Sequence, residues 1–269
     1  MLKTRVITAV ILALGLLAVL FLLPVTATVA CLTLIVVLAA WEWAGLLGLA
    51  ASQRWLYALL TLLPCAAIYA AGMPETLLFW LWSLALIFWL ALVPLWFRYK
   101  WPLGATPLGY LVGWLLLVPA WAGLVQLHGR SPWLLLAAMA LVWVADIAAY
   151  FAGRAWGRHK LAPGISPGKT WEGAVGATLG VMVYGLIVAQ FSVSLGGMAA
   201  LPSLLPALIL ATAVSIVGDL FESLAKRQAG VKDSSRLLPG HGGILDRIDS
   251  LTSTLPLLAL VAQLFLGHG

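Results

Sequence analysis

The sequence predicts an all-α, polytopic transmembrane helical protein, and three observations carry that prediction. Of 269 residues, 63% are hydrophobic and only 9% are charged, where a soluble domain carries about 25% charged residues. With a mean hydropathy of +1.07, the chain holds more apolar surface than a soluble fold of this length can hide, so its solvent is lipid. Second, the apolar residues gather into runs of spanning length, about 20 residues at 1.5 Å rise each. Third, the basic residues fall between those runs with a consistent sidedness.

Nine runs qualify, at approximately 6–23, 26–50, 55–72, 76–97, 103–127, 132–153, 172–192, 203–225 and 251–267. With the N-terminus cytosolic and the helices alternating, the inner segments contain Lys3, Arg5, Arg54, Arg98, Lys100, Arg154, Arg158, Lys160, Lys169, Lys226, Arg227, Lys232, Arg236 and Arg247. That is 14 of the 15 basic residues, with Arg130 alone outside. Such a positive-inside bias sets the orientation, and a missed or extra helix would scramble it downstream. Lys3 and Arg5, the run Ile7–Leu23 and Thr28-Val29-Ala30 imitate a secretory leader. The run exceeds the leader core of roughly 7–15 residues, so it reads as an uncleaved first helix. Cys31 and Cys65 lie in apolar runs without metal-ligand spacing and read as small buried hydrophobes. The net charge of +6 suits anionic headgroups, although topology alone accounts for it.

The chain reads as one integral membrane domain, 1–269, whose halves differ. Residues 1–130 are mainly scaffold helices, and 131–269 hold the catalytic helices and cytosolic loops. The acids mark the difference: Glu42 and Glu75 in the first half, then Asp146, Glu172, Asp219, Glu222, Asp233, Asp246 and Asp249. Asp146 and Asp219 each precede a cytosolic arginine, Arg154 or Arg227, by eight residues. That places both about 12 Å below a helix end. The shared spacing is a faint internal echo that chance could also produce.

Ionisable groups at that depth are costly and usually face a polar cavity. Asp146, Tyr150, Gly153 and Gly157 share one helical stripe, as do Asp219, Ser223 and Lys226. The plainer alternative is a structural ion pair between helices. The segment Ser166-Pro167-Gly168-Lys169-Thr170, followed by Glu172-Gly173, lacks Walker spacing. A lysine and hydroxyls ahead of a helix start still suit phosphate, though capping and topology explain the same residues.

The densest polar stretch runs from Ser223 to Asp249. Lys226, Arg227, Lys232, Arg236 and Arg247 interleave with Asp233, Asp246 and Asp249 around the turn Pro239-Gly240-His241-Gly242-Gly243. Its glycines let backbone approach a ligand. Asp246 and Asp249, three apart at a helix start, can face one way. Capping accounts for one of them but not both. Carboxylates among many cations form the pattern of a Mg²⁺ site for phosphoryl chemistry. His241 reads either as an acid/base or phosphate donor, or as a residue that fixes its own loop.

These residues resemble the signature of the phosphatidate cytidylyltransferase (CDP-diacylglycerol synthase) family. It stands here as Ser223, Lys226-Arg227, Lys232-Asp233, His241-Gly242-Gly243 and Asp246-Arg247-Ile248-Asp249. A second family-like stretch runs from Asp146 through Tyr150, Gly153 and Gly157 to Ser166, Lys169, Thr170, Glu172 and Gly173. Ala225 departs from the bulkier apolar residue expected at its position. The resemblance implies transfer of CMP from CTP to phosphatidic acid, giving CDP-diacylglycerol and pyrophosphate. It also implies Mg²⁺ on Asp219, Asp246 and Asp249, with Lys226 beside them in catalysis. Ser223, Arg227, Lys232, Asp233, His241, Arg247, Ser166, Lys169, Asp146 and Glu172 would bind substrate. A monovalent cation beside Mg²⁺ is left open. CTP and membrane lipid are the expected partners, with a homodimer and no nucleic acid. The expected setting is a bacterial inner membrane with the site facing the cytosol. Three other readings compete: a transporter, a CTP-dependent lipid kinase and a purely structural membrane protein. The uncharged outer loops count against the first. A CDP-alcohol phosphotransferase would need an Asp-x-x-Asp-Gly-x-x-Ala-Arg run that this chain lacks.

Overall fold

The computed structural model describes residues 2–191 and 201–266. The helices are α1 (Leu2–Phe21), α2 (Val25–Leu46), α3 (Ala51–Ala70), α4 (Glu75–Ile87), α5 (Val93–Tyr99), α6 (Pro107–Arg130), α7 (Pro132–Trp156), α8 (Trp171–Phe191), α9 (Leu201–Gln228) and α10 (Leu245–Leu266). One π-helical turn, Phe88–Leu92, joins α4 to α5 in a continuous rod. The described residues therefore form nine rods at the nine apolar runs of the sequence. The limits read at 192 and 267 lie outside the described residues. Seven rods are long and apolar enough to cross a membrane; α1 and α3 are not among them. The protein is an integral membrane protein of all-α class.

The π turn has a local cause. Pro94 stands at the start of α5, cannot donate to the turn before it, and is accommodated by the widened turn. The same rod presents Phe88, Trp89 and Trp96 to Phe221 of α9, with ring centroids 5.7, 5.8 and 5.5 Å away. Trp43 of α2 stacks on Phe221 from a further side at 6.4 Å. Four aromatic rings from the first half thus grip α9 one residue before Glu222.

Small residues bring α7 and α8 together, as is usual where lipid supplies no hydrophobic drive between helices. A Cβ on Gly176 would collide with Ala152, and one on Gly180 would meet the Ala148 side chain. Hydroxyls join α9 to α10: Ser253 Oγ donates to Val214 O at 2.9 Å, and Ser250 Oγ donates to Ser215 O at 3.3 Å. Gly218 admits this approach, because a Cβ there would run into Ser253.

Two features depart from the sequence reading. The segment between α7 and α8 contains an antiparallel hairpin, β1 (Lys160–Ala162) with β2 (Ser166–Thr170). Pro163, Gly164, Pro167 and Gly168 disguise it as loop. Helix α10 begins at Leu245, six residues before the apolar run, because a carboxylate from another helix satisfies its first N–H where apolar side chains do not.

Replacing Gly176 with Val should force α7 from α8 and destabilise the protein by about 1–3 kcal/mol. Gly129, in open surroundings on α6, should tolerate Ala with neutral or slightly positive effect. Thermal unfolding in detergent tests the contrast; equal melting temperatures for both variants would contradict the close α7–α8 contact.

Candidate active site

Helix α9 carries Asp219, Glu222, Ser223 and Lys226 on neighbouring turns. Lys226 Nζ lies 2.6 Å from Glu222 Oε2 and 2.6 Å from Asp246 Oδ1, with its side chain only 14% exposed. The other oxygen of Asp246 accepts from Ser234 N at 2.9 Å, Ser234 Oγ at 3.0 Å and Gly243 N at 2.8 Å. One buried carboxylate therefore ties α9, the 229–244 loop and the start of α10 together.

Asp219 sits one to two turns deeper. Lys169 of β2 places Nζ 2.6 Å from its Oδ2, and Ser223 Oγ donates to its Oδ1 at 3.3 Å. Asp146 from α7 lines one cleft with Asp219, and the backbone of Asp249 on α10 lies against Gly218, the residue before Asp219.

Two clefts adjoin this network. The first, about 610 Å³, is lined by Asp146, Tyr150, Arg154, Ser166, Lys169 and Asp219 among small and apolar residues such as Ala149, Ala174 and Ile216. In it, Tyr150 Oη accepts from Arg154 at 2.8 Å. The second cleft, about 650 Å³, is lined by Lys232, Asp233, Arg236, His241 and Arg247 with the Pro239–Gly242 turn. Gly240 and Gly242 have φ of +78° and +81°, which favours glycine. Nδ1 of His241 is buried and meets no hydrogen-bond partner among the described residues.

The structure brings Asp146, Ser166, Lys169 and Asp219 to the first cleft, with Ser223 hydrogen-bonded to Asp219. It collects Lys232, Asp233, His241 and Arg247 in the second. Two sequence-read residues stand apart. Glu172 engages His159, accepting its backbone N–H at 3.2 Å and lying 2.6 Å from Nδ1. Arg227 lines a third cleft with Lys100 and Gln228, and its Nε points to Ile165 O at 3.5 Å.

The sequence reading overlooked Glu222 and Glu42. Glu222 was legible from its place four residues before Lys226. Glu42, 1% exposed on α2, accepts from Ser234 Oγ at 3.0 Å, Ser235 Oγ at 2.6 Å, Ile244 N at 2.9 Å and Leu245 N at 2.6 Å. An acid within an apolar span was its signal.

The donor chemistry suits a hard divalent cation, since Asp146, Asp219 and Asp249 supply oxygen ligands of the right class. Among the described residues no three acidic, thiol or imidazole groups already stand in ligand geometry. Asp246 has both oxygens engaged, by Lys226 on one side and by Ser234 and Gly243 on the other, and Asp219 is engaged likewise by Lys169 and Ser223.

Fold and site together define a membrane-embedded protein with a cluster of paired charges where α9 ends and α10 begins. The chain belongs to the cytidylyltransferase family, whose sequence model matches residues 3–265. It is therefore a nucleotidyltransferase. It is 44% identical over 267 residues to a phosphatidate cytidylyltransferase of Pseudomonas aeruginosa, covering 96% of each chain. The enzyme of the same name from Haemophilus influenzae is 50% identical over 130 residues, 48% of this chain and 44% of its own. That from Brucella suis is 47% identical over 146 residues, 53% of this chain and 52% of its own.

Lys226→Met should strand Glu222 and Asp246 without their cation and cost about 3–5 kcal/mol. Adding Glu222→Gln should recover part of that loss by removing one stranded charge. Detergent unfolding curves of the single and double variants read this directly; an unchanged melting temperature in Lys226→Met would show that the ammonium does not bind the two carboxylates.

Proposed function

We propose that the protein transfers the cytidylyl group of CTP to phosphatidate, forming CDP-diacylglycerol and releasing pyrophosphate. The observation that carries this reading is a pair of clefts, one walled largely by small and apolar residues and one lined mainly by charged side chains. A lipid phosphate fits the first, with acyl chains along α7 and α8 and its headgroup at Lys169 and Arg154. A nucleoside triphosphate fits the second, where Lys232, Arg236 and Arg247 offer cations beside His241.

A phosphatidate oxygen attacks the α-phosphorus, the bond to the β-phosphate oxygen breaks, and pyrophosphate carries the electron pair away. The nucleophile is already an anion, so no strong base is needed. The difficulty is bringing two polyanions together, which positioning and electrostatic stabilisation address. Lys169, Lys226 and Arg247 screen that repulsion, and the Asp246 contacts hold Lys226 in place. Asp219 and Asp249, with Asp146, would hold Mg²⁺, Asp219 giving up Lys169 just as Asp246 would have to give up Lys226 to join them. When bound, the ion supplies positive charge to phosphate oxygens. The same reading sets the clefts at the cytosolic face of a bacterial inner membrane. The inward bias of basic residues and the bacterial relatives support that setting, and the family resemblance adds a homodimer.

Purified protein given phosphatidate, Mg²⁺ and CTP labelled at the α- or γ-phosphate should move only the α-label into lipid. Asp219→Asn should lower kcat by about 10²–10³-fold while the protein remains extractable and folded. Transfer of the γ-label would identify a lipid kinase instead, and an active Asp219→Asn variant would remove Asp219 from the centre.

A further inference from the structure

We propose that Glu42, a residue of the N-terminal scaffold, is a positioning residue for the nucleotidyl transfer. This rests on the function proposed above. Its carboxylate lies in α2, far in sequence from the 229–244 loop, yet all four of its hydrogen bonds go there or to the first turn of α10. Two of the donors are the backbone N–H groups of Ile244 and Leu245, immediately before Asp246. A third is the hydroxyl of Ser234, which also stands 3.0 Å from Asp246 Oδ2. Glu42 and Asp246 thus hold the same short piece of chain from opposite sides.

The arrangement is stiff. Trp43, the next residue, donates Nε1 to Gly109 O of α6 at 3.0 Å and stacks on Phe221 of α9. Helix α2 is thereby fixed against both α6 and α9, and Glu42 passes that reference to α10. Gly243 fits the contact closely, for a Cβ there would collide with Ser234 Oγ and both Glu42 oxygens. A carboxylate in an apolar span is costly. Backbone and hydroxyl donors that meet both of its oxygens offset that cost. The first turns of α10 carry Arg247 to the polar cleft and Asp249 alongside Gly218, the residue before Asp219, so the contact sets where those side chains stand.

Glutamine at position 42 has nearly the same shape but fails chemically. All four partners are donors, and the amide offers one acceptor oxygen with its NH₂ facing two of them. Glu42→Gln should therefore speed amide hydrogen exchange in the 234–249 segment while leaving α6 and α7 unchanged. It should lower kcat by roughly tenfold or more and leave KM for phosphatidate within about twofold. Ser234→Ala is a milder companion that keeps the buried charge. Its effect on kcat should be smaller, and less than additive with Glu42→Gln, because the two share one hydrogen-bonded unit.

The proteins compared are the full chains in detergent, with kcat expressed per folded molecule. If both variants lose only thermal stability and keep kcat per folded molecule, Glu42 is structural and the proposal is wrong. If wild type moves neither label, the functional reading fails, and exchange in 234–249 still decides whether Glu42 holds the loop. Unchanged exchange there in Glu42→Gln would overturn it under either reading.

Discussion

Charge buried inside a protein must find charge of the opposite sign there, and the contact between α9 and α10 obeys that constraint. Lys226 cannot lie between α9 and α10 as a lone ammonium. Glu222 and Asp246 hold it at 2.6 Å each, so the two helices are pinned there. Asp246 can serve only because Ser234 and Gly243 satisfy its second oxygen. The loop is therefore folded back onto the helix start, and that fold shapes the polar cleft beneath His241. A chain of necessities leads from one ammonium to the outline of a binding site.

Under the proposed function, the first half of the chain would contribute reference points rather than chemistry. Rings from α2, the π turn and α5 surround Phe221, which fixes the azimuth of α9 and hence the direction of Asp219 and Lys226. Glu42 fixes α10 by a polar contact instead. Dispersion and area burial tolerate small slips between helices, whereas a carboxylate meeting four donors does not. The apolar grip sets the helix face, and the polar contact sets the register.

Much of this was legible in the sequence, and the reasons differ by residue. Apolar runs marked the positions of all nine rods, seven of which are long and apolar enough to span a membrane, because lipid imposes one length scale on a spanning helix. The stripe from Asp219 to Lys226 was legible because helical spacing is local. Asp146 and Asp219 were each suspect for their depth, and the structure puts both in one cleft. Their meeting was not deducible, since it depends on how α7, α8 and α9 cross. The hairpin at Lys160–Thr170 was hidden by proline and glycine, which mark turns without showing what pairs across them. Arg227 and Glu172 carry the signature's chemistry in sequence, but face Ile165 and His159 in space. Partners nearly two hundred residues apart, such as Glu42 and Ser235, leave no periodic trace. Only the cost of a lone acid in an apolar helix marked Glu42 out.

The cations best placed for phosphate are already occupied. Lys169 is held by Asp219, and Lys226 by Glu222 and Asp246. For a site that would take up two polyanions under the proposed function, this is a sound resting state. An unpaired lysine at that depth would cost several kcal/mol in desolvation, and the site would be unstable whenever empty. With carboxylates as placeholders, an arriving phosphate exchanges one anionic partner for another, and no charge is left bare. The carboxylates so released are oxygen donors of the kind a divalent cation takes. Under the proposed function, phosphate and metal ion arriving together would keep the buried charge balanced, whereas either alone would leave one sign in excess. The same acids that steady the empty protein then become the metal's ligands, which is why a site for anions is built with so many acids of its own.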